Sequence, residues 1–405
     1  MAGLDECARW FMDHPHLMEH VRHIEIWIPV WGGRASCPPG PREPREEIDH
    51  LTLDVPETPP EGLRYHRAST NATLDEIFEV VQKFFSSARI FTLEGGDGLK
   101  TPLISMWRDH PISSWMGLTK QHSLPGLDHI ETFVMRGAWN LMRSYEDWFF
   151  ISRALPNVSE WHCSYAQARA GGYSTIGSIL SLSSKDIRHL NLSLEGFSHN
   201  LDNVHSTVPK LVVLPICHVL GKTALHLETL SFTGRVCTDL FRAMRFEAMG
   251  MRTPSRLKSM NLTVKSCCRN EWPSTSFLPV SHELAGTNLT EFNNALHAMV
   301  LQAVQALAVL PNLQHLRIRF MDLDSQYPLL NPYFEIHGDT CVGLWSDSIL
   351  AALKESRPNA SFVQLANGIK PEIKEGQVMG AVSPTARPLG IQAKMYLIIS
   401  ERRMP

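Results

Sequence analysis

The sequence has no apolar run long enough to cross a lipid bilayer, which takes about 20 consecutive residues. Its longest apolar runs are Leu211–Leu220 and Ala303–Leu310. The first residues include Asp5, Glu6 and Arg9 and no apolar core, so they do not resemble a signal peptide. We therefore expect an intracellular protein, in the cytoplasm or the nucleus, with no membrane partner.

An excess of either charge is also missing. The 38 Lys and Arg residues and 41 Asp and Glu residues leave a formal net charge of −3, with a pI near 6.7. Nucleic-acid-binding surfaces are usually basic, so we expect no nucleic-acid partner. Because 43% of the residues are hydrophobic and only 20% are charged, the chain can bury a large core.

Motifs of metal, redox and phosphate chemistry are absent as well. None of the 8 cysteines belongs to a C-x-x-C pair, which argues against a zinc or thiol–disulfide site and for reduced thiols. No G-x-x-x-x-G-K-[ST], G-x-G-x-x-G, H-E-x-x-H or G-x-S-x-G segment occurs. His14, His16, His20 and His23 crowd one segment, but no nearby cysteine completes a set of metal ligands. We therefore expect no metal, no cofactor, no catalytic residue and no enzyme activity.

An apolar hexad of the form L-x-x-L-x-L, with any apolar residue at each L, recurs along the chain. Its second apolar residue, here called the middle anchor, falls at Ile24, Leu51, Phe91, Ile130, Trp161, Leu190, Leu230, Met260, Leu316 and Val363. The middle anchor and the apolar residue two positions later share one face of a short strand. Since a lone strand and helix cannot bury their apolar faces, such units are expected to stack around one continuous core.

Helical segments fill the longer spacers between the hexads. The segment Thr73–Glu76 has the sequence of a capping box, and Ser144 opens another helix. The turns Leu155–Val158 and Leu310–Leu313 share the sequence Leu-Pro-Asn-apolar, whose proline ends a helix and sets up an extended strand. The repeated order of helix, proline turn and parallel strand predicts a right-handed α/β solenoid.

The expected fold is a leucine-rich-repeat-like solenoid, or horseshoe, with irregular repeats and long loop insertions. We expect an N-terminal cap helix at 1–14, the solenoid at 15–366 and a Gly/Pro-rich tail at 367–405, in which Met395–Ile399 is a candidate terminal strand. An ordinary α/β domain with amphipathic strands remains the alternative, because its strands show the same alternation. The long insertions are expected at Gly32–Glu47, Gly95–Pro125 and Asn270–Gly286.

The segment His20–Trp31 resembles the opening block of a group of filamentous-fungal F-box and leucine-rich-repeat-like proteins. Leu227–Phe232 and Leu310–Ile318 resemble the repeat signature of the same group, and the resemblance covers about Pro15 to Leu365. It implies a substrate-recognition module of a cullin–Skp ubiquitin ligase. The F-box itself is not seen. Leu74–Ile77 is weakly similar to its L-P-x-E-I-L start but lacks the proline. The resemblance therefore implies a Skp-type adaptor as a partner only if an F-box is missing from this gene model.

Histidine recurs at the position just before the middle anchor, at His23, His50, His129, His189 and His315. A residue next to an inward-facing anchor points to the opposite face, which would be the concave face of a solenoid. Neighbouring positions on that face add Glu25, Trp27, Arg317 and Arg319. These nine residues are our candidate partner-binding set, because exposed aromatic and Arg side chains are typical anchors of protein interfaces. The alternative is that histidine recurs there only because an amphipathic residue is favoured at the start of a strand.

The sequence thus favours a non-catalytic scaffold that binds a protein whose identity the sequence does not give. The alternative is an enzyme of (β/α)8 type with an unidentified substrate, in which acidic or His side chains would cluster after the strands. After the anchored strands we find carboxylates only at Asp54 and Glu94, which is not a catalytic cluster.

Overall fold

A computed structural model describes residues 4–28, 72–95, 103–107, 123–165, 170–182, 186–194, 216–267, 286–322, 328–365, 368–382 and 384–401. The chain divides into an N-terminal unit, Met1–Val158, and a C-terminal unit, Ser159–Pro405.

The N-terminal unit places helices beside a small parallel sheet. Its helices are α1 (Leu4–Asp13), α2 (Pro15–Met18), α3 (Leu74–Phe84) and α4 (Tyr145–Ala154), with a 3-10 turn at Ala138–Asn140. Its strands are β1 (His23–Trp27), β2 (Ile90–Glu94) and β3 (Thr132–Arg136), which pair in parallel in chain order.

Helix α3 forms where the capping box was predicted. The backbone N–H of Thr73 donates to Glu76 Oε2 at 3.1 Å, which closes one half of the box. Helical spacing then buries Ile77, Phe78 and Val81 almost completely. The capping box therefore fixes the start of a helix whose apolar face lies in the core.

The C-terminal unit has more elements of both kinds. Its helices are α5 (Ala170–Leu182), α6 (Ile216–Ala224), α7 (Asp239–Gly250), α8 (Thr290–Ala306), α9 (Asp347–Ser356) and α10 (Ala393–Glu401), with 3-10 turns at Leu307–Val309 and Pro328–Leu330. Its strands are β4 (Glu160–Tyr165), β5 (His189–Leu194), β6 (Thr229–Val236), β7 (Ser259–Cys267), β8 (His315–Phe320), β9 (Tyr333–His337), β10 (Thr340–Trp345), β11 (Ser361–Phe362), β12 (Lys370–Lys374), β13 (Gln377–Val382) and β14 (Gly390–Gln392).

Strands β4 to β8 are parallel and pair in chain order, with their middle anchors in register. Direct partners along this row are Trp161, Leu190, Leu230, Met260 and Leu316. All five side chains are buried. These five residues therefore face the core, as predicted for middle anchors, and lie in register with one another.

A layer of helices covers the apolar face of this sheet. Helices α5 to α9 each pack against the next one in the chain, and α10 packs on α8. Along β8 the burial alternates, with Leu316, Ile318 and Phe320 buried and the residues between them only half-buried. The alternation puts polar side chains on the face opposite the helices.

Both Leu-Pro-Asn turns use their asparagine in the same way. Asn157 Nδ2 donates to the backbone oxygen of Asp128 at 2.6 Å, in the turn that precedes β3. Asn312 Nδ2 donates to the backbone oxygen of Ser255 at 2.7 Å, in the turn that precedes β7. The asparagine of each motif thus ties one strand entry to that of a preceding strand.

The predicted leucine-rich-repeat-like horseshoe at 15–366 is wrong. Each unit is an α/β fold with helices beside an open sheet, which has three described parallel strands in the N-terminal unit and nine described, mostly parallel strands in the C-terminal unit. Strand β9 pairs antiparallel with β8 and β10, and β14 returns from the tail to pair in parallel with β10. The prediction failed because the hexad specifies only a buried strand entered from a turn, which ordinary α/β units share with solenoid repeats.

Three local predictions need correction. Phe133 is the middle anchor of β3 instead of Ile130, because Phe133 pairs directly with Phe91. Val363 is no anchor, since it follows the short β11 and is 61% exposed. The predicted strand at Met395–Ile399 is part of helix α10.

The error in the tail has a simple cause. Met395, Tyr396 and Ile399 are the buried residues of α10, and their spacing is that of one helix face. A short apolar run does not by itself distinguish such a helix from a strand.

Two further points concern the rest of the chain. The insertion Gly32–Glu47 and most of Gly95–Pro125 and Asn270–Gly286 lie outside the described residues. Of the helices that the structure describes, none has the length and apolarity needed to cross a membrane.

Burial lowers the pKa of His297, whose Nε2 lies 2.8 Å from Ser346 Oγ at the start of α9. Between this lowered pKa and the ordinary value of 6.5, the unfolded chain binds more protons than the folded chain, so stability falls as the pH falls. We predict that His297→Asn reduces the loss of stability between about pH 7.5 and about pH 5.5, as measured by urea unfolding at each pH. A loss as steep in the variant as in the native chain would contradict the burial of a neutral imidazole here.

Candidate functional site

The candidate site is the face of each sheet opposite the buried side chains, and this face is here called the polar face. In the N-terminal unit it consists of His23, Glu25, Trp27, Ile90, Thr92, Glu94, Thr132, Val134 and Arg136. In the C-terminal unit it consists of Glu160, His162, Ser164, His189, Asn191, Ser193, Thr229, Ser231, Thr233, Ser259, Asn261, Thr263, His315, Arg317, Arg319, Tyr333, Glu335 and His337.

Trp27 is the exposed aromatic residue of the N-terminal polar face. It is 51% exposed, and its indole N–H donates to Glu25 Oε1 at 2.7 Å. The same carboxylate oxygen accepts from Arg136 Nη1 at 3.2 Å, two strands away. Trp27 and Arg136 are thus linked through one carboxylate, which holds the aromatic ring at the surface.

His23 lies on the polar face as predicted, and His129 does not. His23 Nε2 is 2.9 Å from Thr92 Oγ1 on the adjacent strand. His129 lies in the turn before β3, where burial and then the charge of Arg89 lower its pKa, against a raising effect of Asp128. Thr132 is the residue that directly precedes the middle anchor of β3, because that anchor is Phe133 and lies three residues after the predicted Ile130.

The sequence did contain a signal for the correct register. The hexad starting at Leu127 lacks its third apolar residue, whereas Ile130-x-x-Phe133-x-Met135 is complete. The last histidine of the N-terminal candidates, His50, lies outside the described residues.

Short polar side chains bond across the strands in the C-terminal unit. His189 Nδ1 lies 2.9 Å from Thr229 Oγ1. His162 Nε2 lies 3.0 Å from Glu160 Oε1, and Asn191 Nδ2 donates to His162 Nδ1 at 3.1 Å. The contacts to Thr229 and Asn191 cross between strands, whereas Glu160 lies on the same strand as His162, and together they hold the imidazoles in place on the sheet.

Ser259, His315 and Glu335 form a hydrogen-bonded chain that the sequence analysis missed. Ser259 Oγ is 3.2 Å from His315 Nδ1, and His315 Nε2 is 3.0 Å from Glu335 Oε1. The first two residues both precede middle anchors, so the hexads already placed them in one row. The position of Glu335 could not be predicted, because no hexad predicts β9.

An arginine cluster lies at the other end of β8 and β9. Arg317 Nε donates to Asn261 Oδ1 at 3.1 Å, and Arg319 Nε donates to Thr263 Oγ1 at 3.1 Å. Two residues that the sequence did not single out complete the cluster. Tyr333 lies opposite Arg319 on β9, and the guanidinium carbon of Arg387 lies 3.8 Å from the centroid of its ring.

The histidines near the N-terminus do not form a metal site in the described part of the chain. His14 Nδ1 lies 2.8 Å from the backbone oxygen of Trp10, and its ring stacks on the indole at 4.5 Å. Within the described ranges, no group of three or more His, Cys, Asp or Glu side chains is placed to hold a metal ion.

Comparison with known proteins adds no name to these residues. The chain matches no protein-family model, and no curated protein matches it at a significant level. The resemblance of His20–Trp31 to fungal F-box proteins therefore stays a prediction.

We predict that Trp27→Ala changes the free energy of unfolding by less than about 1 kcal/mol, because half of the side chain is already in solvent. The matched control is Trp161→Ala, at a middle anchor that is 1% exposed, which we expect to cost about 3–5 kcal/mol. Urea unfolding of both variants checks this. Equal losses would place Trp27 in the core and remove it from the candidate surface.

Proposed function

We propose that this chain is a non-catalytic protein-interaction module that binds its partner through the polar face. The observation that carries the proposal is that the helices pack on the apolar face, which leaves polar-face side chains such as Trp27, Arg317 and Arg319 in contact with solvent. Exposed Trp and Arg side chains on a fixed scaffold are typical anchors of protein interfaces.

The dimensions of the face suit a protein better than a small molecule. Six neighbouring strands, β4 to β9, extend about 24 Å across the sheet, and they run from about 17 Å (β9) to about 30 Å (β7) along their length. A protein partner of ordinary size covers about 800 Å² of accessible surface on each side. A small ligand instead needs a concave pocket that encloses most of its surface.

The Ser259–His315–Glu335 chain is the one observation that favours an enzyme. A serine hydroxyl beside a histidine and a carboxylate is the arrangement of acyl-transfer enzymes, which also need free N–H groups to stabilise the oxyanion. The backbone N–H of Ser259 already donates to the oxygen of Glu228 at 3.2 Å. The N–H beside the nucleophile is therefore engaged, so we assign these hydrogen bonds to fixing His315 on the sheet.

The sequence resemblance suggests a class of partner protein. His20–Trp31 and Leu310–Ile318 resemble fungal F-box proteins, so a protein substrate of a cullin–Skp ubiquitin ligase is the partner that the resemblance suggests. Recruitment to a ligase would also require a contact with the adaptor, for which the resemblance implies an F-box.

The proposal predicts that Ser231→Arg blocks partner binding. Ser231 lies in the middle of the polar face, directly between Asn191 and Asn261, so a long side chain there would obstruct a partner lying on the sheet. The matched control is Phe246→Arg on the outer surface of α7, where the native side chain is 76% exposed.

Both variants should be purified and checked for native thermal melting, then used for quantitative affinity capture from the source cells. We expect Ser231→Arg to reduce the captured partner about tenfold or more, and Phe246→Arg to leave it unchanged. Unchanged capture by Ser231→Arg, or an equal loss with Phe246→Arg, would contradict the proposal.

A further inference from the structure

Three guanidinium groups converge at one corner of the C-terminal polar face. Arg317 and Arg319 lie two residues apart on the same face of β8. Arg387 reaches them from the tail segment that precedes β14, where it lies over the ring of Tyr333. Burial and then the charges of Arg317 and Arg387 lower the pKa of Arg319.

The tail segment that carries Arg387 is held against β9. Tyr333 Oη lies 3.0 Å from the backbone oxygens of Pro388 and Leu389, which share its one O–H donor. Arg387 Nη2 donates to the backbone oxygen of Asn331 at 3.3 Å. The third guanidinium is therefore fixed beside the two on β8.

No carboxylate among the described residues neutralises these charges. Arg317, Arg319 and Arg387 each donate to a neutral oxygen of the protein, and none of them forms an ion pair in the described part of the chain. The nearest acidic position in the register is Glu335, directly opposite Arg317, but its Oε1 is bound to His315 Nε2 at 3.0 Å. Glu335 keeps its negative charge in this hydrogen bond, but one carboxylate against three guanidinium groups leaves the described part of this corner with an excess of positive charge.

The donors that remain are arranged for carboxylates. A guanidinium has five N–H donors, and Arg317 and Arg319 each use only Nε against the sheet, so both Nη groups remain for a ligand. Nη groups held in this way bind carboxylates in a bidentate manner. Because Nε is already bonded, each side chain loses little freedom when it binds.

The spacing also matches an extended polypeptide. Residues i and i+2 of a strand lie about 6.6–6.8 Å apart on one face, and the same distance separates alternate side chains of an extended peptide. Carboxylates at alternate positions of such a peptide can therefore meet Arg317 and Arg319 in turn, with Arg387 beside them.

We propose that Arg317, Arg319 and Arg387 bind an extended acidic segment of the partner protein, through Asp or Glu carboxylates at alternate positions. This inference rests on the proposed function, and it names the partner chemistry at one corner of the polar face. The remaining polar face would contact the folded body of the same partner.

The test uses the purified full chain and fluorescein-labelled peptides, with binding followed by fluorescence anisotropy. The main peptide carries three Glu residues separated by Ser, and its matched control carries Gln in place of Glu. A third peptide has the same three Glu residues in consecutive positions. We expect the main peptide, here called the alternate-Glu peptide, to bind about tenfold or more tightly than the Gln peptide and the consecutive-Glu peptide. Its binding should weaken as the salt concentration is raised.

Variants of the chain locate the site. We expect Arg317→Gln and Arg319→Gln each to weaken the alternate-Glu peptide about tenfold. Arg387→Gln, at an exposed position outside the sheet, should weaken it by a smaller factor and provides a test should the strand variants melt early. The matched control is Arg242→Gln on α7, which should bind as the native chain does.

Several outcomes would overturn the inference. They are equal binding of the Glu and Gln peptides, an equal effect of Arg242→Gln, and tighter binding of a phosphoserine peptide or a single-stranded oligonucleotide than of the alternate-Glu peptide. If the peptide fails to bind while Ser231→Arg still abolishes partner capture, the acidic segment is wrong and the interaction module stands. If Ser231→Arg leaves capture unchanged, the proposed function itself fails.

Discussion

The register of the middle anchors is the constraint on which the rest of the C-terminal unit depends. Trp161, Leu190, Leu230, Met260 and Leu316 pair as direct neighbours, which makes one continuous apolar row under the helices. Side chains alternate between the two faces of a strand, so a slip of one residue would bury the polar set and expose the apolar one. Burying unpaired imidazole and guanidinium groups is costly, and therefore this single row also determines which residues reach solvent.

The polar face follows from that register. The two units hold its polar side chains in place by different contacts. The N-terminal unit holds Trp27 at the surface through the shared carboxylate of Glu25. The C-terminal unit fixes its histidines through neighbouring hydroxyl and carboxylate groups, but it leaves the guanidiniums at the end of β8 with neutral acceptors only. A surface with fixed polar groups and an excess of positive charge is suited to a partner of opposite charge, since little order has to be created on binding.

Much of the strand register could be predicted from the sequence, because the hexad specifies a buried strand and its inward residues. The same pattern could not distinguish a solenoid from an open α/β sheet, since both need only an apolar strand beside a helix. Histidine alone was also a weak guide: His23, His189 and His315 lie on the polar face, whereas His129 precedes its strand. Glu335, Tyr333 and Arg387 could not be foreseen, because antiparallel pairing of β9 and the return of the tail bring them there.

The central claim is that a partner lies on the polar face and not on the helix layer. The most direct measurement is site-specific photo-crosslinking, with a benzophenone amino acid placed at Asn191 on the polar face or at Met249 on α7, which is 70% exposed. Both positions are exposed, so either probe can reach a bound protein. The account predicts a covalent adduct with the captured partner from position 191 and none from position 249. Adducts of equal yield from both positions, or an adduct from position 249 alone, would contradict it.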